Sequence, residues 1–289
     1  MYIAGYGRSG STVLDMLLGS NPHMASMSEL THIFRFWQEN SECSCGKLFH
    51  DCEFWSRVFE NVDATGAAKA TRRVQGIPLW LSAIIARRQR KDFARAWRQL
   101  FEGIISVTGR PVVVDSSKSS RRCFWRPDAI RKLCHADVQT IHLVRDPRAV
   151  TYSYLRGDNR LLESGVKSVR RGSAYRVITS WLMSNSMVHL THLFKSKKNY
   201  CRIRYEDLVT NPEEQLQRVI EQFDLQPVVG DFNQESADSP AETHAVAGNR
   251  VRRKGIQKLV LDDEWKTGLQ GRPRRLSIVC WPLMKKYGY

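Results

Sequence analysis

The sequence predicts an α/β fold, a three-layer domain with a central parallel β-sheet flanked by helices, plus a helical insertion. Three observations predict it. Short apolar, β-branched runs alternate with long helical patterns along the chain. Each candidate strand is continuous rather than alternating, as a strand buried on both faces should be. And 289 residues, 42% of them hydrophobic and 10% aromatic, suffice for one large core. No internal repeat or low-complexity tract divides the chain, so a single domain over residues 1–289 is expected.

The elements follow in order. Tyr2 to Tyr6 reads as the first strand and Ser11 to Gly19 as the helix after it. Residues 64–107 carry no strand signal. They are helical in pattern and rich in Arg and Trp (Arg72, Arg73, Trp80, Arg87, Arg88, Arg90, Trp97), and are read as an inserted layer over one sheet edge. Pro111 to Asp115 is the second strand, followed by a helix over Arg126 to Cys134. Val138 to Val144 is the third, followed by a helix over Ala149 to Arg156. Residues 155–176 hold Arg156, Arg160, Lys167, Arg170 and Arg171 among glycines and are expected to form a mobile basic loop. A helix over Ser173 to Phe194, a strand over Tyr200 to Tyr205, and helices over Pro212 to Phe223 and Arg274 to Tyr287 complete the pattern.

Charge narrows the function. With 45 Lys and Arg against 29 Asp and Glu, the formal net charge is +16, which attracts nucleic acid, a membrane, an acidic glycan or a highly phosphorylated cofactor. No zinc-finger, RNP or helix-turn-helix signature is present, which argues against nucleic acid. The longest apolar run, Ile77 to Ala86, is too short to span a bilayer, so no stable membrane insertion is expected. Glycines at positions 5 and 7 arrive before a signal-peptide h-region could form, and a cytoplasmic protein is expected. Seven cysteines, an odd number, do not make a secreted disulfide framework. Three of them, Cys43, Cys45 and Cys52, cluster near His50, which allows a Cys3His zinc site. The C-x-C spacing is tighter than C-x2-C, and a disulfide or plain buried thiols are the favoured readings.

The strongest local signal is Gly5-Tyr6-Gly7-Arg8-Ser9-Gly10-Ser11-Thr12, between the first strand and its helix. The glycines allow a tight turn with backbone N–H groups inward, and the helix N-terminus adds partial positive charge, so the loop suits a phosphate or sulfate. Gly5, Gly10 and Thr12 fit the pattern G-x4-G-K-[ST], which makes the fold P-loop-like, but Ser11 stands at the Lys position. A nucleotide kinase of that class needs the Lys and a magnesium ion. Here Arg8 supplies the cation, and no metal ligand set is evident.

A second motif, Val144-Arg145-Asp146-Pro147-Arg148, ends the third strand, and Ser153 lies eight residues after Arg145 on the next helix. An Arg and a hydroxyl converging at a strand's carboxyl end make another oxyanion clamp. Two such sites about one nucleotide apart suit a ligand phosphorylated at both ends of a ribose.

R-S-G-S-T after a first strand, then V-R-D-P-R-x4-S after a third, resembles the sulfotransferase family that uses 3′-phosphoadenosine-5′-phosphosulfate (PAPS). The resemblance implies that Gly7, Arg8, Ser9, Gly10, Ser11 and Thr12 bind the 5′-phosphosulfate, and that Arg145 and Ser153 bind the 3′-phosphate. Arg204-Tyr205-Glu206-Asp207-Leu208 is similar to the family's R-Y-E-D-L segment, which places Tyr205 near the adenine. Arg253-Lys254-Gly255 is similar to an R-K-G motif that wraps the 3′-phosphate, although Trp265-Lys266 follows it at a longer interval than in cytosolic members.

Cytosolic members carry Lys in the first loop and a catalytic His after the second strand. This chain has Arg8 and the run Asp115-Ser116-Ser117-Lys118, so it is more similar to tyrosylprotein, carbohydrate and bacterial members. In the tyrosylprotein enzymes an acidic base follows the first-loop Arg by 21 residues, and Glu29 stands at that distance from Arg8. The implied catalytic set is Arg8 on the bridging and leaving-group oxygens, Lys118 on the sulfuryl or 5′-phosphate oxygens, and Glu29 as general base with His32 in reserve. His142 is read as packed in its strand and Asp115 as structural. The expected reaction is in-line sulfuryl transfer from PAPS to an acceptor hydroxyl or amine, leaving 3′-phosphoadenosine-5′-phosphate (PAP) and requiring no metal. The basic loop and the Arg-rich insertion suit an anionic acceptor. The competing readings are a P-loop phosphotransferase and a non-catalytic nucleotide- or nucleic-acid-binding protein.

Overall fold

The structure, a computed structural model, describes residues 1–78, 81, 84–119, 123–156, 173–193, 197–226, 244–246 and 259–289. Among the described residues five short strands carry the fold: β1 (Tyr2–Ala4), β2 (Met24–Ser26), β3 (Val112–Val114), β4 (Thr140–Val144) and β5 (Tyr200–Arg204). All pairings between these strands are parallel. β1 pairs with β4 and β4 with β5, while β2 pairs with β3. The two groups join between β1 and β3, where Tyr2 bridges to Asp115, Ile3 N–H donates to Asp115 O (2.9 Å) and Asp115 N–H to Met1 O (3.0 Å). The resulting order is β2-β3-β1-β4-β5, and every strand delivers its carboxyl end to the same edge.

Helices cover both faces. The first in chain order are α1 (Ser11–Gly19), α2 (Ile33–Gln38), α3 (Glu53–Phe59), α4 (Ala67–Val74), α5 (Arg87–Thr108) and α6 (Arg126–Cys134); α2 to α6 pack with Tyr2 and Ala4 of β1, and α1 packs with Ile3 on the opposite face. After β4 come α7 (Pro147–Arg156), α8 (Ala174–Leu193), α9 (Tyr205–Thr210), α10 (Pro212–Phe223), α11 (Trp265–Gly268), α12 (Gly271–Leu276) and α13 (Trp281–Tyr287). The longest, α5, buries Phe93, Ala96, Trp97, Leu100 and Ile104, a spacing of three and four residues that makes one apolar stripe. That stripe meets α3, α4 and α6, each large apolar side chain being worth about 1.5–3 kcal/mol on burial. A second core of Ile3, Leu14, Leu17, Ile141, Leu143 and Ile203 lies between the sheet, α1 and α10.

The structure corrects the sequence reading in three places. β2 is a strand that the sequence did not announce. Met24-Ala25-Ser26 has no β-branched residue, and its parallel pairing with β3 decides it. The first strand stops at Ala4 rather than Tyr6, because Gly5 turns to φ 128° with its backbone against Leu143 O, where a Cβ would stand 2.2 Å away. The helix expected over Arg274 to Tyr287 is broken: a 3-10 turn at Ser277–Cys280 separates α12 from α13, and Pro282 occupies the first turn of α13. The expected basic loop at 155–176 falls mostly outside the described residues.

Candidate active site

The carboxyl edge of the sheet gathers the residues singled out above. β1 runs into the Gly5–Thr12 loop, β2 into Ser28 and Glu29, β3 into Ser116–Lys118, β4 into Arg145 and β5 into Tyr205. Backbone bonds stitch these ends together: Ser116 N–H to Ser28 O (2.8 Å), Lys118 N–H to Ile3 O (3.2 Å) and Ser119 N–H to Gly5 O (2.8 Å). Three non-glycine residues on this edge hold left-handed backbone, Arg8 (φ 64°), Ser28 (φ 64°) and Lys118 (φ 65°). Such strain costs about 1–3 kcal/mol per residue and collects at ligand sites and switches.

The phosphate-type loop is tightly built. Gly10 caps α1 at φ 84°, and a Cβ there would stand 2.4 Å from the Tyr205 ring. A Cβ on Gly7 would meet the Tyr154 hydroxyl at 2.7 Å. The Arg8 guanidinium lies 5.6 Å from the centre of the Tyr154 ring. Burial holds the Tyr154 hydroxyl well above its ordinary range, and both Arg8 and Glu29 act on it, which places those two charges around one phenol. Ser9 Oγ is buried with no hydrogen-bond partner among the described residues.

Glu29 and Lys118 meet directly, with Lys118 Nζ 2.5 Å from Glu29 Oε1 and the side chains 22% and 24% exposed for Lys118 and Glu29. His32 Nε2 is 3.8 Å from Glu29 Oε2, and burial holds the imidazole below its usual pKa against the pull of Glu29. Asp115 has no carboxylate oxygen to spare. Arg126 donates to Oδ2 from Nη2 (2.7 Å) and Nε (3.0 Å), and Ser117 donates to Oδ1 from its backbone N–H (3.0 Å) and its hydroxyl.

Arg145 forms the second centre. It is buried, donates to Arg8 O (3.1 Å) and Asp262 Oδ2 (3.0 Å), and lies 4.2 Å from the centre of the Tyr205 ring. Its Nε is buried without a partner among the described residues. A buried relay fixes its backbone. Trp181 Nε1 donates to Arg145 O (3.0 Å), and Asn185 Nδ2 donates to Trp181 O (2.9 Å). His142 Nε2 lies 2.9 Å from Asn185 Oδ1 and Nδ1 lies 2.7 Å from the Tyr200 hydroxyl, so the neutral ring donates from Nε2 and accepts at Nδ1. Desolvation lowers the His142 pKa to about 3. His142 is therefore scaffold. Ser153 is half-buried on α7, and Gly268 of α11 fits against Tyr152 of that helix, where a Cβ would be 2.5 Å from the ring. Lys266 pairs with Asp263 (3.1 Å), and Trp265 lies 4.6 Å from the Arg148 guanidinium. Arg253, Lys254 and Gly255 lie outside the described residues.

Sequence reasoning missed Asp262 and Tyr154. Tyr154 adjoins Ser153 in a motif already noticed, whereas Asp262 sits in no recognisable pattern. The cysteine cluster follows the plain-thiol reading rather than the disulfide. The seven cysteines are free thiols, and His50 turns away, its Nε2 lying 2.9 Å from Trp37 O.

The site can take an anionic ligand. Ser9 Oγ and Arg145 Nε are polar groups left without a partner among the described residues, one in each centre, and a buried group left so costs about 1–3 kcal/mol.

Comparison with known proteins bears on the family and the fold. A family model described as "Sulfotransferase family" matches residues 1–228. Among solved structures, the sulfotransferase domain of the Synechococcus PCC 7002 olefin synthase is 19% identical, with a TM-score of 0.55 over 100% of this chain and 94% of that one. The sulfotransferase domain from the curacin biosynthetic pathway is 20% identical, with a TM-score of 0.55 over 100% of this chain and 96% of that one. At these identities the two structures speak for the fold alone. No curated protein matches in sequence.

Proposed function

The chain belongs to the sulfotransferase family, and from that premise we propose that it transfers a sulfuryl group from PAPS to an acceptor hydroxyl or amine by in-line displacement. One observation carries the reading. Residues of two oxyanion centres, far apart in sequence, lie on one sheet edge, and each centre holds one buried polar atom with no partner among the described residues, Ser9 Oγ and Arg145 Nε.

PAPS, when bound, supplies a sulfuryl group on an activated phosphosulfate. The N–H groups of the loop from Gly7 to Thr12, with Ser9 Oγ and Arg8, would hold the phosphosulfate. Arg145 and Ser153, with Arg253, Lys254 and Gly255, would hold the 3′-phosphate, and Tyr205 would flank the adenine. Arg8 is assigned to the leaving-group oxygens. Lys118, turning from Glu29 toward the sulfuryl oxygens, would neutralise charge there and free the Glu29 carboxylate for the acceptor proton. The acceptor-to-sulfur bond forms as the sulfur–oxygen bond to the donor phosphate breaks, the proton passes to Glu29, and PAP departs. These roles ask for charge stabilisation and positioning, and for no metal. An odd number of cysteines scattered along the chain suits a reducing compartment, so we place the reaction in the cytoplasm.

Calorimetric titration tests this. PAP should bind at micromolar concentration or tighter, and ATP with magnesium much more weakly. Arg145→Ala should weaken PAP by about 10–100-fold, the worth of a lost charged hydrogen bond. With an acceptor found, Glu29→Gln should lower kcat by about 100-fold or more with PAP affinity unchanged. Binding of ATP-magnesium without PAP would sink the reading.

A further inference from the structure

We propose that Cys43, Cys45, Cys52 and His244 form a structural zinc site that clamps residues 244–246 onto the helical layer. Their four donor atoms lie within 4.8 Å of one another. Tetrahedral zinc, with Zn–S near 2.3 Å and Zn–N near 2.0–2.1 Å, sets sulfurs about 3.8 Å apart and sulfur and nitrogen about 3.6 Å apart. The Sγ atoms of Cys45 and Cys52 are 3.7 Å apart, and those of Cys43 and Cys52 are 3.8 Å apart. His244 Nδ1 lies 3.2 Å from Cys52 Sγ and 3.9 Å from Cys43 Sγ, on either side of the expected edge. Three thiols and one imidazole nitrogen thus outline a tetrahedron of the right size, with soft donors that select zinc over the hard cations.

The surroundings support it. Cys43 and Cys45 sit on a tight hairpin: Glu42 bridges to Leu48, Cys43 N–H donates to Lys47 O (2.8 Å), Gly46 N–H donates to Cys43 O (2.9 Å), and Gly46 takes φ 86°. Cys52 enters from the residue before α3. The His244 ring stacks on Phe54 at 4.7 Å and 4°, and Ala245 N–H donates to Ser44 Oγ (2.8 Å), so the histidine is oriented by contacts outside the donor set. Cys43 and Cys52 are buried, which closes the site to substrate and makes it structural. Zinc would bind the thiolates, releasing their protons to solvent, with no redox step.

The location gives the site a purpose. Val246 N–H donates to Met27 O (3.4 Å), and Ala245 and Val246 are buried. Met27 lies two residues before Glu29. A metal joining His244 to the hairpin therefore fixes the backbone beside the strand end that carries Glu29. The inference does not rest on sulfuryl transfer, since it concerns metal content alone.

The test is elemental analysis of the full, untagged chain prepared under reducing conditions with zinc supplied. One zinc per chain is expected. His244→Ala and Cys45→Ser should lose most of it, His50→Ala should keep it, and a strong chelator should lower Tm. Cobalt(II) in place of zinc should show thiolate charge-transfer bands and the intense visible bands of a tetrahedral site. If the variants do not fold, thiol counting on the unaltered protein still decides: chelation should raise the number of reactive thiols. A zinc-replete preparation free of metal and without cobalt bands would overturn the proposal. So would loss of metal in His50→Ala with retention in His244→Ala.

Discussion

The guanidinium of Arg145 has three neighbours of opposing consequence. Arg8 O and the Tyr205 ring orient it, while the Asp262 carboxylate, 3.0 Å from Nη2, competes for the charge that the proposed 3′-phosphate would use. Removing that negative charge without changing shape should favour the ligand. Asp262→Asn is expected to tighten PAP by about 2–5-fold, a modest gain because Asp262 is partly exposed and screened. Calorimetry beside the unaltered protein checks it. A weaker Asn variant would mean that Asp262 serves to position Arg145. Glu29 and Lys118 make a comparable pair. Glu29 was singled out by its distance from Arg8 and Lys118 by its place at the end of a strand, but their contact was not legible, because it spans 89 residues with no shared pattern.

Among the elements, α6 carries the most consequential internal contact. Arg126 is fully buried, bonded to Asp115 at the end of β3 and to Gln75 after α4 (3.1 Å), and lies 4.0 Å from the centre of the Trp97 ring on α5. It therefore ties the helical layer to the strand end beside Lys118. Arg126→Met would leave Asp115 charged and buried, at a cost of about 3–5 kcal/mol. Urea unfolding would show it, and Asp115→Asn in the same chain should recover part of the loss. A change below about 1 kcal/mol would mean that the layer holds by apolar packing alone. Four strands and α1, α6, α7, α8 and α10 could be read from the sequence because continuous β-branched runs and helical spacing report buried geometry locally. β2 could not, since Met24-Ala25-Ser26 becomes a strand only through its neighbour. The loop and Arg145 were legible for the same local reason. His244 and Asp262 reach their partners across 192 and 117 residues, where tertiary proximity leaves no local trace.

For the whole molecule, the formal charge of +16 should act through solution rather than through any one contact. Long-range attraction is screened over about 10 Å at 0.1 M salt. PAP affinity is therefore expected to fall several-fold between low and high ionic strength, read by repeating the titration in added sodium chloride. An unchanged affinity would assign the excess charge to another partner. The strand order has a consequence of a different kind. β1 is the central strand, yet both its neighbours, β3 and β4, lie more than 100 residues further along the chain. On a ribosome adding about 5–20 residues per second, Tyr2-Ile3-Ala4 waits on the order of 5–20 seconds with both hydrogen-bonding edges open. Yield during synthesis then depends on what meets that strand in the interval as well as on the stability of the finished sheet.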